Sequence, residues 1–237
     1  RRPVFIVRYQ GFQWFDAAGI ANYAAKSKEL WNIPCPVFVR SIGMDGGIGP
    51  VASNSHHGIF MRLPGIPICA PMTPNEYEWV WNYFMNHDNP VYVSEHRQSF
   101  KINYEMPDQV NYSADITLFP ISSTRLDTIE AAKILAKEGI ICNIVHLIWL
   151  KPFIIDDRIL NPLENSPYGG LVLDGDYADG AAIPLAYRIM QKSEKKVKVL
   201  ALDDRTAGFA PHLDNLSPSP EKIYKTVKSI IIKNCRN

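Results

Sequence analysis

No apolar run in this sequence approaches the roughly 20 residues needed to span a bilayer, so no membrane helix is expected. Cysteine is sparse: Cys35, Cys69, Cys142 and Cys235 stand far apart and form no CxxC pair, which removes the common metal-binding spacing. The first three sit in apolar runs and read as buried free thiols of a reducing compartment. A cytoplasmic location follows as an expectation, or an organelle matrix in a eukaryote. An excess of one charge is also missing. Lys and Arg number 25 against 24 Asp and Glu, a formal net charge of +1, and that balance offers no field for nucleic acid or an anionic membrane. No basic run is interleaved with aromatics, and the densest cationic cluster, Lys192 to Lys198, is broken by Glu194 and reads as a solvated helix end. Arg1-Arg2 leads into Pro3-Val4-Phe5-Ile6-Val7-Arg8, a strand pattern rather than a signal-peptide core. Internal repeats and low-complexity segments are absent.

What remains is an ordinary globular chain of 237 residues, 46% hydrophobic, long enough for one large or two modest cores. Short apolar runs alternate with longer helical patterns, which predicts an α/β fold with mainly parallel sheets in three layers. Strands are expected at Val4 to Tyr9, Pro36 to Ser41, Ile66 to Ala70 and Pro90 to Ser94. A helix from Phe15 to Leu30 carries Ala17, Ala18, Ala21, Ala24 and Ala25 as a small-residue face suited to close packing. Thr73-Pro74 opens a second helix, with the threonine as cap and Tyr77, Val80, Trp81 and Phe84 at helical spacing. Periodicity fades from Glu95 to Ser113, the best linker. Beyond it come strands Ile116 to Phe119, Ile140 to Leu147, Leu171 to Asp174 and Val197 to Leu202. Between and after them lie helices Thr124 to Lys137, Asp156 to Leu163, Gly180 to Met190 and Pro220 to Lys233.

The densest chemistry lies in Asp45-Gly46-Gly47-Ile48-Gly49-Pro50-Val51-Ala52-Ser53-Asn54-Ser55-His56-His57, followed by Leu63-Pro64-Gly65-Ile66. Glycines admit close approach because no Cβ stands in the way, and imidazoles move protons near neutral pH. Together they read as the floor of an active-site cleft. His146, inside the apolar run Ile144 to Leu147, reads as a hydrogen-bonded core or interface histidine. Asp174-Gly175-Asp176-Tyr177-Ala178-Asp179-Gly180 resembles a calcium loop but lacks the later bidentate glutamate. Asp179 is then expected to cap a helix, and no metal site is expected. The long loop Asp204 to Pro211 is expected at a subunit contact.

Several ordered landmarks carry a family resemblance. They are Arg2-Pro3-Val4, the Phe12 and Phe15 pair, Ala24-Ala25-Lys26, the Gly46 to Ser55 loop, Pro64-Gly65-Ile66, Ala70 to Pro74 and Asn89 to Glu95. On these residues the chain resembles the beta subunit of the 2-oxoacid (pyruvate-type) dehydrogenase first component, in the transketolase-like family of thiamine diphosphate enzymes. The resemblance implies the C-terminal part of a pyrimidine-binding domain at 1–107 and a transketolase C-terminal-like domain at 108–237. It implies thiamine diphosphate as cofactor, with Phe12 and Phe15 in the aromatic region that stacks on its pyrimidine. An alpha subunit would carry the diphosphate-binding domain and its magnesium, since no Gly-Asp-Gly…Asn motif occurs here. A homodimer contact is implied through helix 15–30 and the C-terminal domain.

Two departures complicate that picture. The family's glutamate, which hydrogen-bonds the cofactor aminopyrimidine, would lie before Arg1, so an N-terminally truncated subunit is expected, inactive as this fragment. Its loop histidine is replaced by Ala52, so His56 or His57 is expected to take over catalysis, one helical turn downstream if the loop has become a helix. Two alternatives stay open. One is a non-catalytic or regulatory homologue. The other is a transketolase-like or deoxyxylulose-phosphate-synthase-like ketol transferase, with Arg40, Arg62 and Arg97 as candidate phosphate contacts.

Overall fold

β-branched and aromatic runs fit a pleated surface, and Val4-Phe5-Ile6-Val7 and Val91-Tyr92-Val93 each lie in a parallel strand, the second buried throughout and the first, read from its apolar run as buried, with Val4 and Ile6 exposed. The computed structural model describes residues 1–234, so Cys235 lies outside the described residues. Along the chain come β1 (Val4–Arg8), α1 (Gln13–Gly19), α2 (Ala25–Trp31), β2 (Phe38–Gly43), the single turn α3 (Gly49–Ala52), β3 (Ile68–Cys69), α4 (Pro74–Asn86) and β4 (Val91–His96). Then follow β5 (Ile116–Pro120), α5 (Thr124–Ala136), β6 (Cys142–Ile144), β7 (Trp149–Lys151) and α6 (Asp157–Glu164). Last are β8 (Gly170–Tyr177), α7 (Ala182–Ser193), β9 (Val197–Leu202) and α8 (Pro220–Asn234).

The chain divides into two compact units. The first holds Arg1–Met106 with Ile148–Phe153 and Arg205–Leu216, and the remainder forms the second. The expected division at 107/108 treats all later residues as one domain, whereas by contacts β7 and the 205–216 segment group with the first unit. Its five-stranded sheet runs β1-β2-β4-β3-β7, parallel except where β7 meets β3. No strand is expected at β7 from the sequence, because three residues before Pro152 are too few to display a period. The core packs Phe38, Cys69, Val80, Phe84, Val91 and Val93 together, with Trp149 and Tyr77 against them. Each large apolar side chain so enclosed contributes about 1.5–3 kcal/mol. α4 begins at the expected cap, where the Glu76 carboxylate accepts from the Met72 and Thr73 amides at 2.8 and 3.2 Å.

The second unit has a four-stranded, all-parallel sheet in the order β6-β5-β8-β9. Ile116, Leu118, Leu135, Leu171, Leu173, Ile223 and Val227 fill its core. Gly139 ends the α5 region at φ 78°, the left-handed cap expected of it.

Two local expectations need correction. The helix expected over 15–30 runs as α1, a π-helical turn at Ile20–Ala24, and α2, stopped by left-handed Asn32. Its small-residue face is divided: Ala18 is exposed and Ala17 half-buried, while the other three alanines pack within their own unit. Ala21, Ala24 and Ala25 are buried, and a Cβ added to Gly65 would lie 2.0 Å from the Ala25 carbonyl oxygen. The exposed face also carries Trp14, Phe15 and Tyr23. Asp179 is not a helix cap. β8 extends to Tyr177, α7 starts at Ala182 with Ala181 before it, and Asp179 is exposed. The buried Asp174 and Asp176 carboxylates instead accept from the Asp176 and Tyr177 amides at 3.1 and 2.7 Å. Among the described residues no group of three His, Cys, Asp or Glu is placed to hold a metal ion.

Candidate functional site

β4 is buried throughout, yet its second half, Ser94-Glu95-His96, is polar. The apolar half lies in the core, and the polar half reaches the carboxyl end of the parallel sheet, where open α/β sheets place ligands. The turn Gln10–Phe12 that follows β1 arrives at the same edge. Gln10 is fully buried. Its amide nitrogen donates to the Ser41 carbonyl at 3.1 Å and the Ser94 hydroxyl at 2.9 Å, and its amide oxygen accepts from the His56 N–H at 2.6 Å. One side chain therefore joins the ends of β2 and β4 to the histidine loop.

The loop itself is held by several contacts. Gly46, Gly47 and Gly49 sit at φ 57°, 71° and 86°, which side chains bearing a Cβ adopt only under strain. The Asn54 N–H donates to the Met44 carbonyl at 2.7 Å, with Asn54 left-handed at φ 74°. Gly11 allows the closest approach, since a Cβ there would fall 1.6 Å from the Val51 carbonyl oxygen and 3.6 Å from His56 Nε2. His56 thus lies over the turn that carries Phe12.

The two candidate histidines have different surroundings. His57 is fully buried, with Nδ1 3.2 Å from the Ser94 hydroxyl. His56 is half-buried and its Nε2 lies 3.1 Å from the Ser53 carbonyl. A carbonyl only accepts, so Nε2 carries the proton and the neutral ring has its lone pair on Nδ1. The expected substitution for Ala52 across one helical turn does not occur. α3 ends at Ala52, Ser53 is extended at φ −73°, ψ 157°, and the left-handed Asn54 turns the chain into its bridge with Met44.

Phe12 and Phe15 are 40% and 80% exposed, with ring centroids 6.5 Å apart and planes 28° from parallel. Core packing does not account for either ring. Around the same edge, Arg8 Nη2 and Arg97 Nη1 converge on the Tyr9 hydroxyl at 3.3 and 3.2 Å. Hydrogen bonding from Arg8 holds that phenol below its usual pKa. Arg40 instead pairs with Glu95 through Nε at 2.7 and 2.8 Å. Burial pushes the Glu95 carboxyl up and the Arg40 contact offsets this.

Residues 1–102 match the family described as transketolase, pyrimidine binding domain. They form a transketolase-type pyrimidine-binding domain. The whole chain is similar to the pyruvate dehydrogenase E1 component subunit beta of Rickettsia felis, 22% identical, with 97% of this chain and 76% of that protein covered. It is also 26% identical to the acetoin:2,6-dichlorophenolindophenol oxidoreductase subunit beta of Cupriavidus necator, covering 91% of this chain and 69% of that one. Among solved structures, a split-gene transketolase described as an inactive beta4 tetramer superposes with a TM-score of 0.72 at 16% identity, over 97% of this chain and 75% of that one. The fold is therefore that of transketolases, and the curated relatives named here are beta subunits.

Within the pyrimidine-binding domain, sequence reasoning misses Gln10, Gly11, Ser94 and the pair of Asp45 Oδ2 with His96 Nε2 at 3.4 Å. His96 Nδ1 accepts from the Gln98 amide at 3.3 Å, which leaves the proton on Nε2 for Asp45. The available signal is positional: polar residues directly after an apolar parallel strand lie at the sheet's carboxyl edge. In the second unit His146 is buried and hydrogen-bonds the Pro107 backbone, the hydrogen-bonded core histidine that was expected. Burial, then the charges of Arg125 and Arg158, lower its pKa to about 3.

Proposed function

We propose that this chain is the beta-type subunit of a thiamine diphosphate-dependent 2-oxoacid dehydrogenase. It contributes the pyrimidine side of a cofactor site that an alpha-type subunit completes with its diphosphate-binding domain and magnesium. The observation that carries the reading is the exposed, near-parallel Phe12 and Phe15 pair beside His56, inside the residues that match the pyrimidine-binding family. A flat, solvent-facing ring at a sheet's carboxyl edge fits a heteroaromatic ring in stacked contact. Phe12, nearer to the Gly11 turn, is the ring assigned to that contact.

Thiamine diphosphate supplies, when bound, a nucleophilic carbon and an electron sink for decarboxylation. The chain's own residues do the rest. His56 donates its Nε2 proton to the Ser53 carbonyl, which leaves Nδ1 as the ring atom that would accept a proton as a base. Gln10 fixes its backbone through the 2.6 Å bond. Arg8 and Arg97, with the Tyr9 hydroxyl between them, form a cationic rim that favours a substrate carboxylate.

The test combines the natural polypeptide with its alpha-type partner and follows 2-oxoacid-dependent reduction of an artificial acceptor. Activity in the pair, with thiamine diphosphate affinity falling about tenfold in Phe12→Ala, supports the reading. No turnover with any common 2-oxoacid refutes it. A non-catalytic homologue is the second reading, favoured by Ala52 at the family's histidine position and by the non-helical path from Ser53 to His56.

A further inference from the structure

The glycine-rich loop is backed by a segment from far along the chain. Arg205–Leu216 belongs by its contacts to the first unit, although its chain neighbours on both sides belong to the second. The segment is closed on itself. The Gly208 N–H donates to the Leu213 carbonyl at 2.9 Å, the Asn215 amide to the Arg205 carbonyl at 2.8 Å, and the Arg205 guanidinium to the Leu213 and Asp214 carbonyls. It meets the loop at three successive glycines. A Cβ on Gly46 would fall 2.5 Å from Leu216 Cδ2, and one on Gly49 would fall 2.2 Å from Phe209 Cε1. Between them the Gly47 N–H donates to both Asp214 carboxylate oxygens, at 3.2 and 3.1 Å. The missing Cβ atoms are what let the segment settle there.

Three left-handed glycines in four residues make a backbone with much freedom to lose, and such a loop keeps one shape only if outside contacts hold it. A polar contact from the segment is the charge-assisted bond that Asp214 accepts from the Gly47 N–H, and the loop it anchors leads to His56. We propose that Asp214 is a positioning residue, fixing the glycine-rich loop through the Gly47 amide and thereby the placement of His56. This rests on the reading of His56 as the proton-handling group of the site. The Phe209 ring and the Leu216 side chain complete the backing, and Asp214 supplies its one directional bond to Gly47.

The experiment compares wild type, Asp214→Asn and Asp214→Ala as intact protein, by amide hydrogen exchange and by nitrogen-15 spectra of the histidine rings. Asp214→Ala should raise exchange across Gly46 to Ser53 about tenfold and shift the His56 ring signals, leaving amides of the second unit unchanged. Asp214→Asn keeps an acceptor and should restore part of the protection. In the assembled enzyme, kcat should fall about tenfold in Asp214→Ala with KM within about twofold. Wild-type exchange and wild-type His56 signals in Asp214→Ala overturn the proposal. If wild type shows no turnover but its loop still loosens in Asp214→Ala, the functional reading fails and the positioning role stands. If Asp214→Ala is fully active with unchanged exchange, the positioning role fails and the functional reading stands.

Discussion

At the carboxyl edge of β2 and β4, polar side chains are tied to a loop of left-handed glycines, and two aromatic rings stand in solvent. At the carboxyl edge of β5 and β8 the corresponding polar residues, Ser122, Ser123, Arg125, Asp174 and Asp176, are enclosed by the protein. Both are ends of parallel sheets, the place where α/β folds bind ligands. They differ in how the edge is finished. Among the described residues, buried hydroxyls without a hydrogen-bond partner occur at both edges, Ser41, Ser53 and Ser55 in the first unit and Ser123 in the second, and in the first unit a half-buried histidine and exposed rings lie close by. Leaving a buried polar group unmatched costs about 1–3 kcal/mol, so that cost is carried at both edges and the exposed rings and half-buried histidine make the difference. In the second unit a buried arginine and two buried aspartates accompany the enclosed edge. The fold supplies the position, and the side chains decide whether that position stays open for chemistry.

The comparison breaks most completely if the Gly11 approach is unimportant. Gly11→Ala places a Cβ on the Val51 carbonyl, so the turn and α3 cannot both keep their places. Turnover should fall by about a hundredfold or more, because small misplacements of a catalytic loop have costs on this scale. Protection of the loop amides should fall with it. An active Gly11→Ala enzyme with a protected loop would show that this contact does not hold the site.

His56→Gln comes next, and it separates the two histidines. Turnover should fall by about a hundredfold with the melting temperature unchanged, the usual scale for losing a positioned acid or base. His57→Gln should instead lower the melting temperature, since that ring is fully buried against Ser94. The reverse pattern would move the chemistry to His57.

The sequence made much of the fold legible and less of the site. Apolar runs and caps located most of the strands and helices, because the signal is local: Thr73-Pro74 opening α4 and Gly139 closing the α5 region are read from a few neighbours. β7 escaped for lack of length. The wrongly placed Asp179 cap came from reading a buried strand end as a turn. Phe12, Phe15 and His56 are visible through resemblance and composition, but Gln10, Gly11 and Asp214 are not. Their roles depend on contacts with Ser94, Val51 and Gly47, far away in sequence, and no local pattern encodes such pairs.

The second unit gives a smaller, purely structural prediction. His146 has its pKa lowered to about 3 from 6.5, so the folded state stays neutral where the unfolded chain takes up a proton. Its contribution to stability is fully present above pH 6.5 and is lost as pH falls toward 3. By pH 5 the loss should be about 2 kcal/mol, measurable by denaturant titration at several pH values. His146→Phe should flatten that slope. An unchanged slope would place the acid sensitivity elsewhere.

The smallest effect sharpens the comparison most. Gly47 and Gly139 have φ of 71° and 78°, and an added Cβ meets nothing within 4 Å at either position. Alanine should therefore cost about 1 kcal/mol at both, for backbone reasons alone. The two glycines differ only in what depends on their conformation. Gly139 ends a helix region in the second unit, so Gly139→Ala should lower stability and leave turnover within about twofold. Gly47 presents its N–H to Asp214 in the loop that leads to His56, so Gly47→Ala should lower kcat about fivefold for the same stability cost. Measuring the melting temperature and kcat of both variants separates strain from function. Equal turnover in the two would mean that the glycine-rich loop holds its shape for stability and contributes no positioning to the reaction.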